Sequence, residues 1–223
     1  KILTVFMDSG VKKHDETTYY TPFYNLGSGS SNALVLSLLN ILAKEKKNVI
    51  FAMEEPEISL PPYAQKRIVK SIIDQSAQSI FTSHSPYVLE EFEPKYILHI
   101  NRTDGIIDAK PLQLFPNVKK KAYQDEVRRR FCEALVSNRV LIVEGRTELE
   151  VFQAASRKIQ LNNPNKIFSL DAQGLAIVNA EGQTKIPQLC KYFRKLGKDV
   201  IVICDKQAEE DYKNIEKYAN IVF

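Results

Sequence analysis

Three acidic side chains stand near the ends of two apolar, strand-like runs in the second half of the chain. Glu144 closes the run 140–143, and Glu148 follows four residues later. Asp205 closes a similar run over 200–204. The carboxyl ends of parallel strands meet at one edge of a sheet, where open α/β folds bind ligands. Adjacent carboxylates repel one another unless a hard cation lies between them, so this pattern indicates a site for Mg²⁺ or Mn²⁺.

Each acid taken alone also has an ordinary structural interpretation. A Glu-Gly pair can simply end a strand, and Glu148 would lie in the first turn of a helix predicted over 146–159, where acids favour the helix dipole. Asp171 follows the apolar run 167–170 and could line the same crevice or act as a turn residue. The combination of strand-end acids, and not any single one, favours the metal site.

A second pair of acids closes an apolar run in the first half of the chain. The run 48–53 is followed by Glu54, Glu55 and a proline that cannot continue a strand ladder. In ATPases a strand of this kind ends in one acid that reaches Mg²⁺ through water and a second that orients the attacking water. The order of the residues assigns the first role to Glu54 and the second to Glu55.

Two further features of the first half are compatible with nucleotide binding. His84 ends the next strand-like run, where it suits a residue that senses a γ-phosphate, although a lone histidine is more often structural. A loop of small residues precedes an apolar helix predicted over 33–43, and its backbone N–H groups would form an anion site. This loop contains Gly27, Ser28, Gly29 and Ser30. Turns and helix caps use the same residue types, so the loop is weak support by itself.

Composition sets outer limits on the kind of protein. The chain has 223 residues, of which 44% are hydrophobic and 26% charged, which suits one large or two modest globular domains. No apolar run approaches the roughly 20 residues of a membrane span, so we expect a soluble, cytoplasmic protein without a membrane partner. The three cysteines are widely spaced, without a C-x-x-C pair, and read as reduced core residues.

The positive charge of the chain is clustered. The formal net charge of +4 is too mild to prove a nucleic-acid partner. However, 119–121 and 128–130 place six cations within twelve residues, on a predicted helix that leads into the Glu144 strand. Such a run is usually a solvated face, but beside a metal crevice it could hold the phosphates of DNA.

Alternating apolar runs and helical patterns predict an α/β fold. In the second half the apolar runs 167–170, 176–178 and 200–204 read as strands, and a 3.6-residue stripe predicts a helix over 186–196. Strands that alternate with helices form a parallel sheet. A non-periodic stretch bracketed by prolines places a domain boundary at residues 115/116.

The ordered motifs of the first half resemble the C-terminal half of an ABC-type ATPase head. By that resemblance 27–32 match the signature motif, Glu54 and Glu55 the Walker B acids, 59–62 the D-loop and His84 the switch histidine. The sequence contains no G-x-x-x-x-G-K-[ST], and it begins and ends in mid-pattern. We therefore expect a piece of a longer polypeptide that binds ATP together with an N-terminal ATPase half.

The two halves together resemble the OLD (overcoming lysogenisation defect) family, in which an ATPase is fused to a Toprim nuclease domain, often in phage-defence systems. The resemblance rests on 54–57, 82–86 and 143–148 in that order. It implies the C-terminal part of an ABC-type ATPase domain over 1–115, then a Toprim-like parallel α/β domain over 116–223. It also implies a four-stranded, mostly parallel sheet, metal-dependent nicking or double-strand cutting of DNA, and homodimers or higher homo-oligomers through the ATPase heads. A defence-system partner protein is a further possibility.

The resemblance assigns roles to individual acids and also finds one departure. Glu144 matches the Toprim glutamate, Glu148 the second OLD-type acid, and Asp205 the first acid of the Asp-x-Asp motif. Gln207 stands where the second aspartate is expected; its carbonyl can bind a cation but brings no charge. Glu209, Glu210 or Asp211 could supply a substitute. Two hypotheses follow: an ATP-regulated, metal-dependent DNA endonuclease, or an ATPase sensor whose degenerate Toprim domain binds DNA or a partner protein.

Overall fold

The computed structural model describes residues 4–45, 48–103, 105–113, 126–205 and 209–223. The chain divides into two compact units, Lys1–Glu91 and Phe92–Phe223. The domain boundary expected at residues 115/116 falls within 114–125, outside the described residues, and stays a prediction. Within the described ranges no helix is long and apolar enough to cross a membrane.

In its described residues, the first unit contains a hairpin, a small parallel sheet and three α-helices. Its elements in chain order are β1 (Phe6–Lys12), β2 (Thr18–Pro22), α1 (Ser28–Glu45), β3 (Ile50–Glu54), α2 (Pro62–Gln75), β4 (Gln78–Thr82) and α3 (Pro86–Leu89). β1 and β2 are antiparallel, whereas β3 and β4 are parallel, with Glu54 opposite Thr82. A buried cluster of Leu36, Phe51, Leu60 and Ile72 connects both long helices to β3. This core fixes the end of β3, where the paired acids stand.

Helix α1 begins five residues before the predicted start at residue 33. The small residues 28–32, expected to form a loop, are already helical, and the Ser31 N–H donates to the Gly27 carbonyl (3.1 Å). Serine and asparagine are common at helix N-termini, and here the Ser31 hydroxyl donates to the Phe23 carbonyl (3.3 Å). The expectation of a helix N-terminus at this point is retained, but Ser28 and not Ala33 is its first residue.

The second unit contains a hairpin followed by a parallel α/β domain. Its elements are β5 (Leu98–Thr103), β6 (Ile106–Pro111), α4 (Glu126–Val136), β7 (Arg139–Val143), α5 (Arg146–Asn162), β8 (Leu175–Asn179), α6 (Ile186–Lys195), β9 (Asp199–Ile203), α7 (Glu209–Tyr218) and β10 (Ile221–Val222). The four-stranded sheet has the order β10-β9-β7-β8, and all of its pairs are parallel. The predicted α/β class with a parallel four-stranded sheet is confirmed.

Both faces of this sheet are covered, which explains why its strands read as continuous apolar runs. Leu141 and Val143 of β7 pack with Leu149 of α5 on one face. Side chains alternate along a strand, so the fully buried Val140 and Ile142 point to the other face. Helix α6 contacts β7 and β9. Central strands of such sheets are apolar throughout because neither face meets water.

The run 167–170 does not form the predicted strand. Its Phe168 side chain is 59% exposed, and the chain enters a short 3-10 turn at Asp171–Gln173 directly before β8. Short apolar runs are ambiguous because periodicity cannot show whether a neighbouring strand is available for pairing. Arg157 donates a hydrogen bond to the Asp171 carboxylate (2.9 Å). Asp171 therefore lies at the amino-terminal edge of the sheet, opposite the edge that carries Glu144.

Cys190 in α6 is expected to resist alkylation until the protein unfolds. Burial, with a smaller contribution from Cys204, raises the pKa of the Cys190 thiol to about 12, so the reactive thiolate is scarce at pH 8. Mass spectrometry after iodoacetamide treatment should find Cys190 unmodified in the native protein and modified in urea. The partly exposed Cys204 is the internal control. Equal labelling of both residues in the native protein would contradict the buried position of α6.

Candidate metal centre and ATPase motifs

The acids of the second unit lie at one edge of its parallel sheet. Strands β7 and β9 are neighbours, with Val143 opposite Ile203. Glu144 follows β7 directly, and Asp205 lies two residues beyond the end of β9. Both acids therefore leave the sheet at its carboxyl edge, the position at which open parallel sheets bind ligands.

The Glu144 carboxylate is held by the turn that follows β8. The Gln183 side-chain amide donates to Glu144 Oε2 (3.1 Å), and the Gly182 N–H donates to the Glu144 backbone carbonyl (3.1 Å). The turn needs left-handed backbone at Glu181 (φ 53°) and Gly182 (φ 121°). Sequence reasoning missed Gln183. The available signal was the pair Glu181-Gly182, since a glycine often marks a point at which the backbone reverses sharply.

Glu148 lies in the first turn of α5 and folds back toward the end of β7. A Cβ atom placed on Gly145 would stand 2.8 Å from Glu148 Oε2, so the carboxylate occupies the space above that glycine. Gly145 is also the N-cap of α5, without a side-chain cap. The Glu-Gly sequence thus serves two purposes here, since it ends the strand and leaves room for the second acid beside the residue that follows Glu144.

The three acids share an edge, but they do not form a compact metal cluster in the described parts of the chain. Among those residues, no group of three or more His, Cys, Asp or Glu side chains is arranged to hold a metal ion. The Asp205 residue is exposed, and Gln207, the fourth expected ligand, lies outside the described residues. The donor set nonetheless consists of carboxylate oxygens, which are the ligands that Mg²⁺ and Mn²⁺ prefer. The assignment of these residues as metal ligands stays a prediction.

In the first unit the paired acids stand at the tip of β3, as predicted. Glu54 is the last residue of the strand, opposite Thr82, and the Glu55 N–H donates to the Thr82 carbonyl (2.9 Å). Glu55 has a left-handed backbone conformation (φ 44°), which non-glycine residues rarely adopt. Strained residues of this kind cluster at functional sites, where the surrounding structure holds them.

The start of α1 and the loop after β3 are in close contact. A Cβ atom on Gly29 would lie 2.4 Å from the Ser59 carbonyl oxygen, so only glycine fits there. The Asn32 side chain donates to the Ile58 carbonyl (2.9 Å). These contacts connect the predicted signature motif with the predicted D-loop, while the neighbouring residues at the helix start remain exposed at Gly27, Ser28 and Ser30.

His84 follows β4 with an exposed side chain. Its backbone N–H donates to the Glu57 carboxylate (2.9 Å), a contact that sequence reasoning missed. The two expected ATPase elements, the acids after β3 and the histidine after β4, thus leave adjacent parallel strands at the same end.

The basic residues of α4 differ in their surroundings. Arg128 donates to the Phe92 carbonyl (2.8 Å), whereas Arg129 and Arg130 form ion pairs with Glu133. A groove of about 520 Å³ runs along the edge strand β8, lined in part by Arg129, Arg130 and Arg157. The other basic cluster, 119–121, lies outside the described residues.

Comparison with known proteins agrees with this division of the chain. Residues 3–89 match a family model described as an AAA ATPase domain, and residues 135–206 match the model of the overcoming lysogenization defect protein-like TOPRIM domain. The fold and the two matches together define an ATPase–Toprim protein. The chain belongs to the OLD family, as its motifs indicated.

Two curated relatives are similar to this chain over two thirds of its length or more. Endonuclease GajA of Bacillus cereus (strain VD045) is 30% identical over 159 residues, covering 67% of this chain and 26% of the relative. Old nuclease of Escherichia phage P2 is 26% identical over 197 residues, covering 76% of this chain and 34% of the relative. The chain therefore spans about a quarter to a third of the length of these relatives.

One solved structure, from work on ATP-driven dimerization and DNA-stimulated activation of SMC ATPases, is similar at a low level. Its TM-score is 0.38 at 16% identity, over 43% of this chain and 60% of that one.

Proposed function

We propose that the protein is an ATP-regulated, divalent-metal-dependent DNA endonuclease of the OLD type that acts in anti-phage defence in the cytoplasm. The observation that carries the proposal is the position of Glu144 and Asp205 at the carboxyl ends of neighbouring parallel strands, with Glu148 folded toward the same edge. All three lie within the matched Toprim region 135–206. The relatives are named as an endonuclease and a nuclease, which supports the same chemistry here.

In this proposal Glu144, Glu148, Asp205 and the carbonyl of Gln207 hold Mg²⁺ or Mn²⁺. The bound cations would supply an activated water and stabilise the leaving oxygen of a phosphodiester. Gln183 keeps the Glu144 carboxylate aimed along the sheet edge through its hydrogen bond. Glu148 adds negative charge near the end of β7, which favours cation binding and disfavours an unoccupied cluster.

The ATPase unit is proposed to regulate cutting. Glu54 would serve the nucleotide-bound Mg²⁺, Glu55 would orient the attacking water, and His84 would contact the γ-phosphate. The residues 27–30 would approach the nucleotide of a second, ABC-type head, so that ATP joins two copies into a homodimer or a larger homo-oligomer. A defence-system partner protein would then bind the ATP-joined homodimer or homo-oligomer.

We propose that the basic residues of α4 contact the phosphates of the DNA backbone. Replacing Arg129 is the most direct test of this contact. Arg128 holds a backbone carbonyl within the unit, so its replacement would disturb the fold, whereas the Arg129 side chain is 55% exposed. Arg129→Ala is expected to weaken binding equally on all DNA sequences and to reduce the salt slope by about 0.9 per lost phosphate contact. Fluorescence anisotropy at several salt concentrations measures both quantities. Lys166→Ala, at an exposed residue after α5, is the control. If Arg129→Ala has the same salt slope as this control and the wild type, α4 is a solvated face that does not contact DNA.

A Mn²⁺ titration of the intact protein tests the proposed function. Wild-type protein is expected to bind Mn²⁺ with an affinity that collapses in Glu144→Gln and Asp205→Asn, because each variant removes a charged ligand. Glu150→Gln, on the exposed side of α5, is the matched control and should bind as wild type does. Equal binding by all four proteins would instead favour an ATPase sensor with a degenerate Toprim module.

A further inference from the structure

Glu57 is an acid of the ATPase unit to which neither Walker B role applies. One of its oxygens, Oε1, accepts three hydrogen bonds, and all three come from the turn that carries His84. The donors are the Ser83 hydroxyl (2.8 Å), the His84 N–H (2.9 Å) and the Ser85 N–H (3.1 Å). A carboxylate is a stronger acceptor than a neutral group, so this contact defines the backbone of the turn.

The same turn is held from its other side by a buried pair of polar side chains. The Ser85 hydroxyl donates to Gln65 Oε1 (2.6 Å), and the Gln65 amide donates to the Leu60 carbonyl (2.8 Å). Ser85 is 8% exposed and Gln65 9%. Buried polar groups with satisfied partners lock their neighbours in one arrangement. The bonds therefore connect the His84 turn with the loop that follows Glu57.

This arrangement matters for His84 because its side chain is exposed. An exposed side chain obtains little positional restraint from packing, so the backbone of the turn must supply it. The helix that follows the turn, α3, has four residues, too few to anchor the turn by itself. Glu57 and Gln65 provide the restraint from two neighbouring elements.

We propose that Glu57 is a positioning residue that fixes His84 for contact with the γ-phosphate, and that Gln65 and Ser85 couple this position to the loop 58–60. The proposal rests on the proposed ATPase function. Glu57 does not touch the nucleotide in this account; it acts through the turn 83–85. A conformational change in the loop 58–60 would move His84 through the same bonds.

Hydrogen exchange and ATP hydrolysis of the intact protein test the proposal together. In Glu57→Ala the amide of His84 should exchange at least about tenfold faster, since its acceptor is lost. The Ser85 amide keeps the Ser83 hydroxyl as an acceptor (3.0 Å) and should respond less. The kcat for ATP hydrolysis should fall roughly 10- to 100-fold, as expected for a displaced catalytic group, while the KM for ATP changes less than about threefold. Glu57→Gln, which keeps an acceptor oxygen, should restore most of both. Asp74→Ala, an exposed acid of α2, is the matched control.

The two readouts separate failure of this proposal from failure of the proposed function. Unchanged exchange at the His84 amide in Glu57→Ala, or faster exchange with an unaltered kcat, would overturn the positioning role. A wild type that hydrolyses no ATP would refute the proposed function, whereas faster exchange in Glu57→Ala would still support the restraint of His84. If thermal unfolding shows that Glu57→Ala does not fold, Ser83→Ala removes one donor to Glu57 and one acceptor of the Ser85 N–H. It should shift both readouts in the same direction by a smaller factor.

Discussion

Replacing Glu144 by glutamine is expected to lower DNA cleavage by the intact protein more than about 100-fold, because loss of even a second-sphere partner of a metal ligand changes activity 10- to 100-fold. Glutamine keeps the size of the side chain and an oxygen that can accept the hydrogen bond from Gln183. Only the charge is removed. Glu148→Gln and Asp205→Asn should have effects of the same order, measured as the rate of conversion of supercoiled plasmid with Mg²⁺ or Mn²⁺.

These variants should lose activity without losing stability. Glu144 and Glu148 bring like charges to one edge of the sheet, and neutralising either one does not increase repulsion when metal is absent, so Glu144→Gln and Glu148→Gln should each unfold in EDTA at a temperature close to that of the wild type. Glu150→Gln, an exposed position of the same helix as Glu148, controls for a general loss of negative charge and should cut normally. If one of the three variants keeps full activity, the residue that it replaces is not part of the catalytic site.

Replacing Glu55 by glutamine is expected to slow ATP hydrolysis by the intact protein about 100- to 10,000-fold, the usual contribution of a group that manages proton transfer. The backbone bond from Glu55 to Thr82 does not involve the side chain, so the turn should persist. ATP should then remain bound and hold two heads together. Light scattering with ATP should find a larger species for Glu55→Gln than for wild type.

The control for this experiment is nucleotide binding itself. Glu55→Gln should bind ATP at least as tightly as the wild type, and Asp74→Asn should behave as wild type in every assay. Loss of binding in Glu55→Gln would mean that the left-handed residue after β3 has a structural role and that the catalytic assignment is wrong.

The sequence was sufficient to predict the strands and the edge at which the acids stand. The runs that form β7 and β9 are apolar because both sheet faces are covered. A strand buried on both faces can be recognised from its own sequence, without knowledge of the strands beside it. The α6 stripe was equally clear, since Ile186, Leu189, Cys190 and Phe193 are all buried. The local sequence pattern was enough to predict an element wherever its buried residues formed a continuous apolar run or a 3.6-residue repeat.

Contacts between distant segments could not be predicted in the same way. Gln183 meets Glu144 across 39 residues, and Glu57 meets the His84 turn across 27. A local signal such as the Glu181-Gly182 pair can mark a turn, but it does not show which distant residue the turn will contact. The run 167–170 failed for a related reason, because strand formation depends on a partner strand as well as on apolar side chains.

The departure at Gln207 provides the most direct test of the central claim, that this Toprim domain cuts DNA. Plasmid cleavage by the intact wild-type protein should be measured beside Gln207→Asp, with Mg²⁺, with Mn²⁺ and with EDTA. The account predicts that wild type converts supercoiled plasmid to nicked or linear DNA with either metal, that EDTA abolishes conversion, and that Gln207→Asp cuts at least as fast. A wild type that leaves the plasmid intact with both metals, while Gln207→Asp cuts it, would contradict the account and establish a degenerate Toprim domain.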